Sequence, residues 1–205
     1  MASDLEWAGY LAPDWPVEFP PGSSVLDVGC GEGRLLQKFL ARGHRVRGVE
    51  PNPAAVAAGR AAGVDIVQGV AESLPEPDAS WDAVVCRVVL PYTDEPRAVA
   101  EIGRVLRPGG RAFLLTHGAG YSLRYLLLGP TWRLRFYGMR SLVNTWLWVA
   151  TGRRLPGFLG DTLFQSGRRL NRYFRAAGLS VLRQGGGPRF AGLPVFLYHD
   201  LSRGA

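Results

Sequence analysis

An α/β fold built on a doubly wound, mainly parallel seven-stranded sheet is predicted by three observations. Five short apolar runs are interleaved with helical patterns through the first 117 residues, the signature of parallel strands covered on both faces. The first run, "SSVLDV", leads into a turn carrying three glycines, Gly29, Gly31 and Gly33. Two late strand-like runs are joined without a helix, which suggests an antiparallel hairpin at one edge of the sheet.

Val25 to Val28, bounded by Pro-Gly-Ser-Ser and by glycine, reads as a buried first strand. Gly33 to Leu40 places Leu35, Leu36, Phe39 and Leu40 at helical spacing. Arg45 to Val49 is a second strand, and "PNPAAVAAGRAAG" a helix with Pro53 near its start and Gly63 as its stop. Asp65 to Gln68 makes a third strand, and "SWDAVVCRVVLPY" carries a fourth centred on Ala83 to Cys86. "EPRAVAEIGRVLRPGG" predicts an amphipathic helix ended by Pro108-Gly109-Gly110, before a fifth strand from Arg111 to Thr116.

The alternation then stops. Residues 118–165 are aromatic, basic and helical in pattern, predicting two or three amphipathic helices. "GRRLNRYFRAAG" resumes as a helix closed by Gly178, followed by strands over Leu179 to Arg183 and Pro194 to Leu201. One domain over residues 1–205, with a helical insertion at 118–165, is the economical organisation.

Composition narrows the partners. Residues 1–117 hold 11 basic and 15 acidic side chains, whereas residues 118–189 hold 12 arginines and only Asp161 as acid. Two cysteines, Cys30 and Cys86, cannot make a disulfide framework, and both sit in apolar runs expected to bury them as free thiols of a cytoplasmic protein. No metal-type Cys/His spacing occurs. The N-terminal "MASDLEWAGYLAPDWP" is acidic and lacks an apolar signal core. No stretch reaches the roughly 18 to 20 apolar residues of a spanning helix.

The glycine turn asks for a ligand. Gly29, Gly31 and Gly33 follow the first strand, at the end of a doubly wound sheet where ligands bind. A nicotinamide fingerprint needs glycine at its sixth position, where this chain has Arg34, and no Gly-Lys-Ser/Thr follows to make a phosphate loop. Asp27 at the rim would repel a pyrophosphate but suits an ammonium group. Glu50, ending the second strand, can accept from both hydroxyls of a ribose. Together these favour an adenosine ligand with a cationic tail.

In order and spacing, "VLDVGCGEGRLL", "GVEPNPAAV", "VQGVAESLP", "WDAVVCRVVLPY" and "IGRVLRPGGRAFLL" resemble the successive motifs of class I S-adenosylmethionine-dependent methyltransferases, nearest in style to the small-molecule, quinone-biosynthesis branch. The resemblance covers about Val25 to Thr116 and implies a Rossmann-like fold with S-adenosylmethionine as cofactor. It implies that Asp27, Gly29 and Gly31 hold the methionine end, with Arg87 nearby. Glu50 would bind the ribose, Pro51 and Asn52 would flank the adenine, and Ala71 and Glu72 would lie at its edge. Two departures stand out: Val70 replaces the aspartate that usually precedes Ala-Glu, and "LPYTDEP" replaces a frequent histidine after the fourth strand.

Methyl transfer from a sulfonium is an in-line displacement, so the protein's main task is holding the nucleophile in near-attack geometry. A base is needed only for a poorly nucleophilic acceptor. His117, just past the fifth strand, and Tyr92 are the candidates, with Tyr121 on the same rim and His199 in what reads as an edge strand. In the superfamily the insertion's position commonly caps the acceptor site. An ordinary cap would turn its apolar faces to the body and its arginines to water. A sharper expectation pairs Trp132, Trp146 and Trp148 with Arg133, Arg135, Arg140, Arg153 and Arg154 against a lipophilic acceptor or an anionic membrane surface. The expected activity is therefore methylation of a small, hydrophobic acceptor. The alternatives are an RNA methyltransferase, using the same arginines on phosphates, and a non-catalytic S-adenosylmethionine-binding subunit.

Overall fold

A computed structural model describes residues 18–204; the N-terminal segment read above lies outside the described residues. The central sheet has seven strands: β1 (Ser24–Val28), β2 (Arg45–Glu50), β3 (Ile66–Gln68), β4 (Trp81–Arg87), β5 (Leu106–His117), β6 (Leu179–Gly186) and, last in the chain, β9 (Phe196–Arg203). A separate small ribbon pairs β7 (Arg189–Phe190) with β8 (Leu193–Pro194). Sheet order is β3-β2-β1-β4-β5-β9-β6. The first five strands pair parallel, and β9 runs antiparallel to both neighbours. Strand order reverses between β1 and β4, so the carboxyl ends of those two strands are the candidate ligand crevice.

Six α-helices cover the sheet among the described residues: α1 (Arg34–Leu40), α2 (Pro53–Ala61), α3 (Glu95–Val105), α4 (Ala119–Leu128), α5 (Trp132–Thr151) and α6 (Gly167–Ala176). The parallel strands β1 and β4 are buried on both faces, so they read as near-continuous apolar runs while their side chains alternate between two cores, whereas the edge strand β6 is mostly exposed. Leu26, Val28, Val84 and Cys86 pack with Val99 and Ile102 of α3 and with Leu170 and Phe174 of α6. Val25, Ala83 and Val85 face the other way, against Leu36 and Phe39 of α1 and Val56 of α2. Caps explain several helix starts: Asn52 accepts from the backbone N–H of Ala54, and Asp94 from that of Arg97.

Three expectations are corrected. Helix α3 stops at Val105, before the Pro-Gly-Gly triplet. Its last carbonyls are taken by the chain ahead of β4, with Ala79 N–H donating to Arg104 and Ser80 N–H to Val105, and Leu106 already pairs with Trp81. Pro108-Gly109-Gly110 instead absorbs an irregularity within β5, where the register shifts. The last strand is not an edge: β9 lies between β5 and β6, so His199 is interior, buried and edge-on to Phe174 at 5.0 Å. Finally, the face that α5 turns to the body is mixed rather than apolar: Leu134 and Tyr137 pack beside Tyr121 and Tyr125 and Trp148 is half-buried, but the fully buried residues are polar or glycine. The helix buries Gly138, Arg140, Ser141, Asn144 and Thr145 and exposes Trp132 and Trp146. No helix among the described residues is long and apolar enough to cross a membrane.

Candidate cofactor and acceptor site

The crevice at the β1 and β4 ends gathers the predicted residues. Gly29, leaving β1, and Gly31 adopt positive φ of 73° and 56°, a region where side chains other than glycine's are strained. A Cβ on Gly29 would lie 2.2 Å from Cγ2 of Val89, because the turns after β1 and β4 press together there. A Cβ on Gly31 would meet nothing within 4 Å, so this glycine borders open space.

Glu50 ends β2 with its carboxylate braced on both sides. Oε2 accepts from Gly31 N–H at 3.0 Å and Oε1 from Asn52 N–H at 3.0 Å. The carboxylate thus ties the glycine turn to the start of α2 and stays partly exposed. Pro51 and Asn52 are exposed beside it. Asp27, on β1, is 4 % exposed and lies close enough to Arg87 for the two to interact electrostatically. Burial raises the Asp27 pKa to about 7, against the opposing pull of the Arg87 guanidinium at the end of β4. A buried carboxyl held so far above its usual range is a site that a cation would satisfy.

Past β3, Ala71 is buried and Val70 is exposed. Glu72 is half-buried and is engaged by the protein itself, Oε1 accepting from Asp94 N–H at 2.9 Å at the start of α3. Cys86 is fully buried and Cys30 only half so; burial pushes both thiols up to about 12.

The β5 end carries a second cluster. His117 is 3 % exposed and stacked on Tyr121, with centroids 3.6 Å apart and planes 9° from parallel. Burial pushes its pKa down to about 3, and neither ring nitrogen has a hydrogen-bond partner among the described residues. Around it, Tyr92 shares a 3.2 Å hydroxyl hydrogen bond with Tyr137, and Tyr137 another of 3.3 Å with Thr162. Tyr92 is half-exposed as a residue; desolvation of its hydroxyl, together with Tyr137 beside it, raises the phenol, which therefore stays protonated.

Tyr137 and Thr162 were not foreseen as site residues. They belong to the insertion, and only its fold-back over the rim brings them to Tyr92. Val88 was also missed: a β-branched residue at φ 60°, between β4 and the turn that abuts Gly29, an outlier of the kind that collects at functional sites. His199 stands apart within the sheet, and burial pushes its pKa down to about 4. No group of His, Cys, Asp and Glu suited to a metal occurs among the described residues.

Residues 26–114 match the family described as "Methyltransferase domain". The chain is 38% identical over 116 residues to a malonyl-[acyl-carrier protein] O-methyltransferase of Serratia marcescens, covering 55% of this chain and 44% of that protein. It is 35% identical over 103 residues to a ubiquinone biosynthesis O-methyltransferase of Xanthomonas oryzae pv. oryzae, covering 46% of this chain and 43% of that protein. The chain thus spans less than half the length of these relatives. A solved S-adenosylmethionine-dependent methyltransferase from Mesorhizobium loti superposes with a TM-score of 0.67 at 19% identity, over 90% of this chain and 94% of that one, a likeness of fold. Residues 26–114, from β1 through most of β5, are thus similar to a methyltransferase domain, and the fold is that of solved S-adenosylmethionine-dependent methyltransferases.

Proposed function

We propose that the protein methylates a small, hydrophobic acceptor that binds between the β5 end and the insertion, with S-adenosylmethionine in the β1–β4 crevice. The observation that carries this reading is the lining of the acceptor side. Tyr92, His117, Tyr121 and Tyr137 present rings and phenols, surroundings suited to a compact apolar or aromatic molecule rather than a phosphate backbone. Two arginines of the basic stretch are withdrawn into ion pairs, Arg140 with Asp161 and Arg169 with Glu95, which weakens the case for RNA. The names of the two relatives, both O-methyltransferases, point the same way.

The crevice residues fit the cofactor. Asp27 offers a buried carboxyl to the ammonium of the methionine end, Glu50 a braced carboxylate to the ribose, and Gly31 room for close approach. Pro51, Asn52, Ala71 and the side of Glu72 not bonded to Asp94 border the place for adenine. The cofactor supplies an activated methyl on a sulfonium. The protein's residues orient the acceptor and exclude water. His117 stays neutral, so one ring nitrogen can accept a hydrogen bond from an acceptor hydroxyl while the other, carrying the proton, can only donate. With a pKa of about 3 it is too weak a base to keep the proton, which suits an acceptor that ionises readily. Tyr92, held protonated, can donate.

Two expectations test the cofactor half. Gly29→Ala combines left-handed strain, about 1–2 kcal/mol, with a clash against Val89, so thermal melts should show marked destabilisation. Gly31→Ala carries the strain alone; it should melt near the parent yet lose at least roughly tenfold in cofactor affinity by calorimetry, the added methyl occupying the approach. Equal losses of affinity and stability in both would remove Gly31 from the site.

Asp27 predicts a pH dependence. Its folded pKa, about 7, lies above the ordinary 3.8, so the neutral form is favoured by the fold. Stability of the ligand-free protein from this group therefore falls as pH rises from about 4 to 7. Cofactor affinity should move oppositely, rising toward pH 8 as the carboxylate forms, and Asp27→Asn should flatten that rise. A flat profile in the parent protein would deny Asp27 the ammonium.

The overall reading is tested by incubating the protein with methyl-labelled S-adenosylmethionine and cell extract, then separating organic, nucleic-acid and protein fractions. Label in the organic fraction is expected. Label in nucleic acid would overturn the acceptor assignment, and cofactor binding without turnover would favour a binding subunit.

A further inference from the structure

Helix α5 is inverted relative to an ordinary surface helix. Its fully buried residues are polar or glycine, and most of their polar groups are engaged. Ser141 Oγ accepts from Ser122 of α4 at 2.8 Å, and Asn144 Nδ2 donates to the carbonyls of Gly160 and Thr162 at 3.0 and 2.8 Å. Thr145 Oγ1 accepts from Phe164 N–H at 2.9 Å, and Arg140 pairs with Asp161 at 2.9 Å. Its outer face carries Trp132, Phe136, Met139, Val143, Trp146 and Ala150 at intervals of three and four residues. Trp132 and Trp146 are 72% and 71% exposed. With 20 residues the stripe runs about 30 Å. Exposed Leu127 and Leu128 adjoin its start, and exposed Phe158 and Leu159 follow its end.

An exposed apolar surface of this extent marks an interaction site, and its charged ends say which kind. Arg133 and Arg135 stand exposed at the first turn of α5, and Arg153, also exposed, lies just past its last. Self-pairing about a two-fold axis would bring arginines against arginines, and residues 118–189 offer only Asp161 as acid, already paired with Arg140. An apolar stripe with tryptophans, flanked by cations, complements an anionic lipid surface: the rings enter the headgroup boundary and the guanidiniums meet phosphates.

We infer that the outer face of α5 docks the protein, reversibly and in the plane of the interface, on an anionic phospholipid bilayer. This goes beyond the methyl-transfer reading and does not depend on it, since attachment is measured without turnover.

The test is flotation of the purified protein with vesicles of phosphatidylglycerol and phosphatidylcholine, beside vesicles of phosphatidylcholine alone. Binding is expected on the anionic vesicles, weakening with salt. Trp132→Ser/Trp146→Ser should abolish it while cofactor affinity and melting temperature stay at parent values. Arg133→Gln/Arg153→Gln should lower anionic-vesicle partitioning roughly 30-fold, at about 1 kcal/mol for each charge. Equal binding to neutral vesicles, or undiminished binding by the tryptophan variant, would overturn the inference. So would absence of vesicle binding together with a concentration-dependent dimer that the tryptophan variant abolishes, which would assign the face to a second copy of the chain.

Discussion

Glu50→Ala is expected to raise the dissociation constant for S-adenosylmethionine by at least about 100-fold while leaving the protein folded. The proposed ribose contact supplies two hydrogen bonds to a charged acceptor, each of order 1.5–3 kcal/mol. Partial exposure of the carboxylate discounts that sum toward its lower end, still about two decades of affinity. A second loss adds to it. Glu50 also receives Gly31 N–H and Asn52 N–H, so its removal loosens the glycine turn whose backbone must be in place before ligand arrives. Calorimetric titration measures the affinity, and circular dichroism checks the fold. Glu50→Gln separates the two effects, because its amide oxygen can keep only one backbone N–H and cannot accept on both sides as the carboxylate does. It should fall between parent and alanine. Parent-like affinity in Glu50→Ala would mean that the adenosine lies elsewhere than at the end of β2.

The geometry of that candidate site was legible because local rules and the global fold agree there. Gly29 and Gly31 sit at positive φ where the turn follows a buried strand, and Glu50 lies where β2 ends; each can be read from a few neighbouring residues. The end of α3 was not legible. Pro108-Gly109-Gly110 is a sound local stop, yet backbone donors of Ala79 and Ser80, some 25 residues earlier, capture the helix's last carbonyls. Nor was the orientation of α5. Its sequence mixes tryptophans, arginines and small polar residues around the whole circumference. Which face turns inward depends on partners in another segment, Gly160, Thr162 and Phe164, that satisfy Asn144 and Thr145. The place of β9 escaped for a related reason: two strands joined through a turn do not reveal which of them sits next to β5.

Removing one member of the Glu95–Arg169 pair is expected to give the largest loss of stability. Glu95 opens α3 and is fully buried; Arg169 lies in the first turn of α6 and is 5% exposed. The guanidinium grips the carboxylate with both prongs, Nε to Oε2 and Nη2 to Oε1, each at 2.9 Å. Gln165 Nε2 donates to the same Oε1 at 2.8 Å, and Gln165 N–H donates to the His117 carbonyl at 2.7 Å. One ion pair therefore fastens the end of the insertion to α3 and to the rim that holds His117. Arg169→Met leaves a carboxylate buried without its cation, which costs about 3–5 kcal/mol. At about 2–4 °C for each kcal/mol in a chain of this size, the melting temperature should drop by roughly 10 °C. Arg169→Lys should recover only part of the loss, since an ammonium cannot reproduce the two-pronged geometry. The double variant Glu95→Leu/Arg169→Met should regain most of it, because no unpaired charge then remains in the core. A drop under about 3 °C in Arg169→Met would mean that water reaches Glu95 and that the insertion is held to the body by its apolar contacts instead.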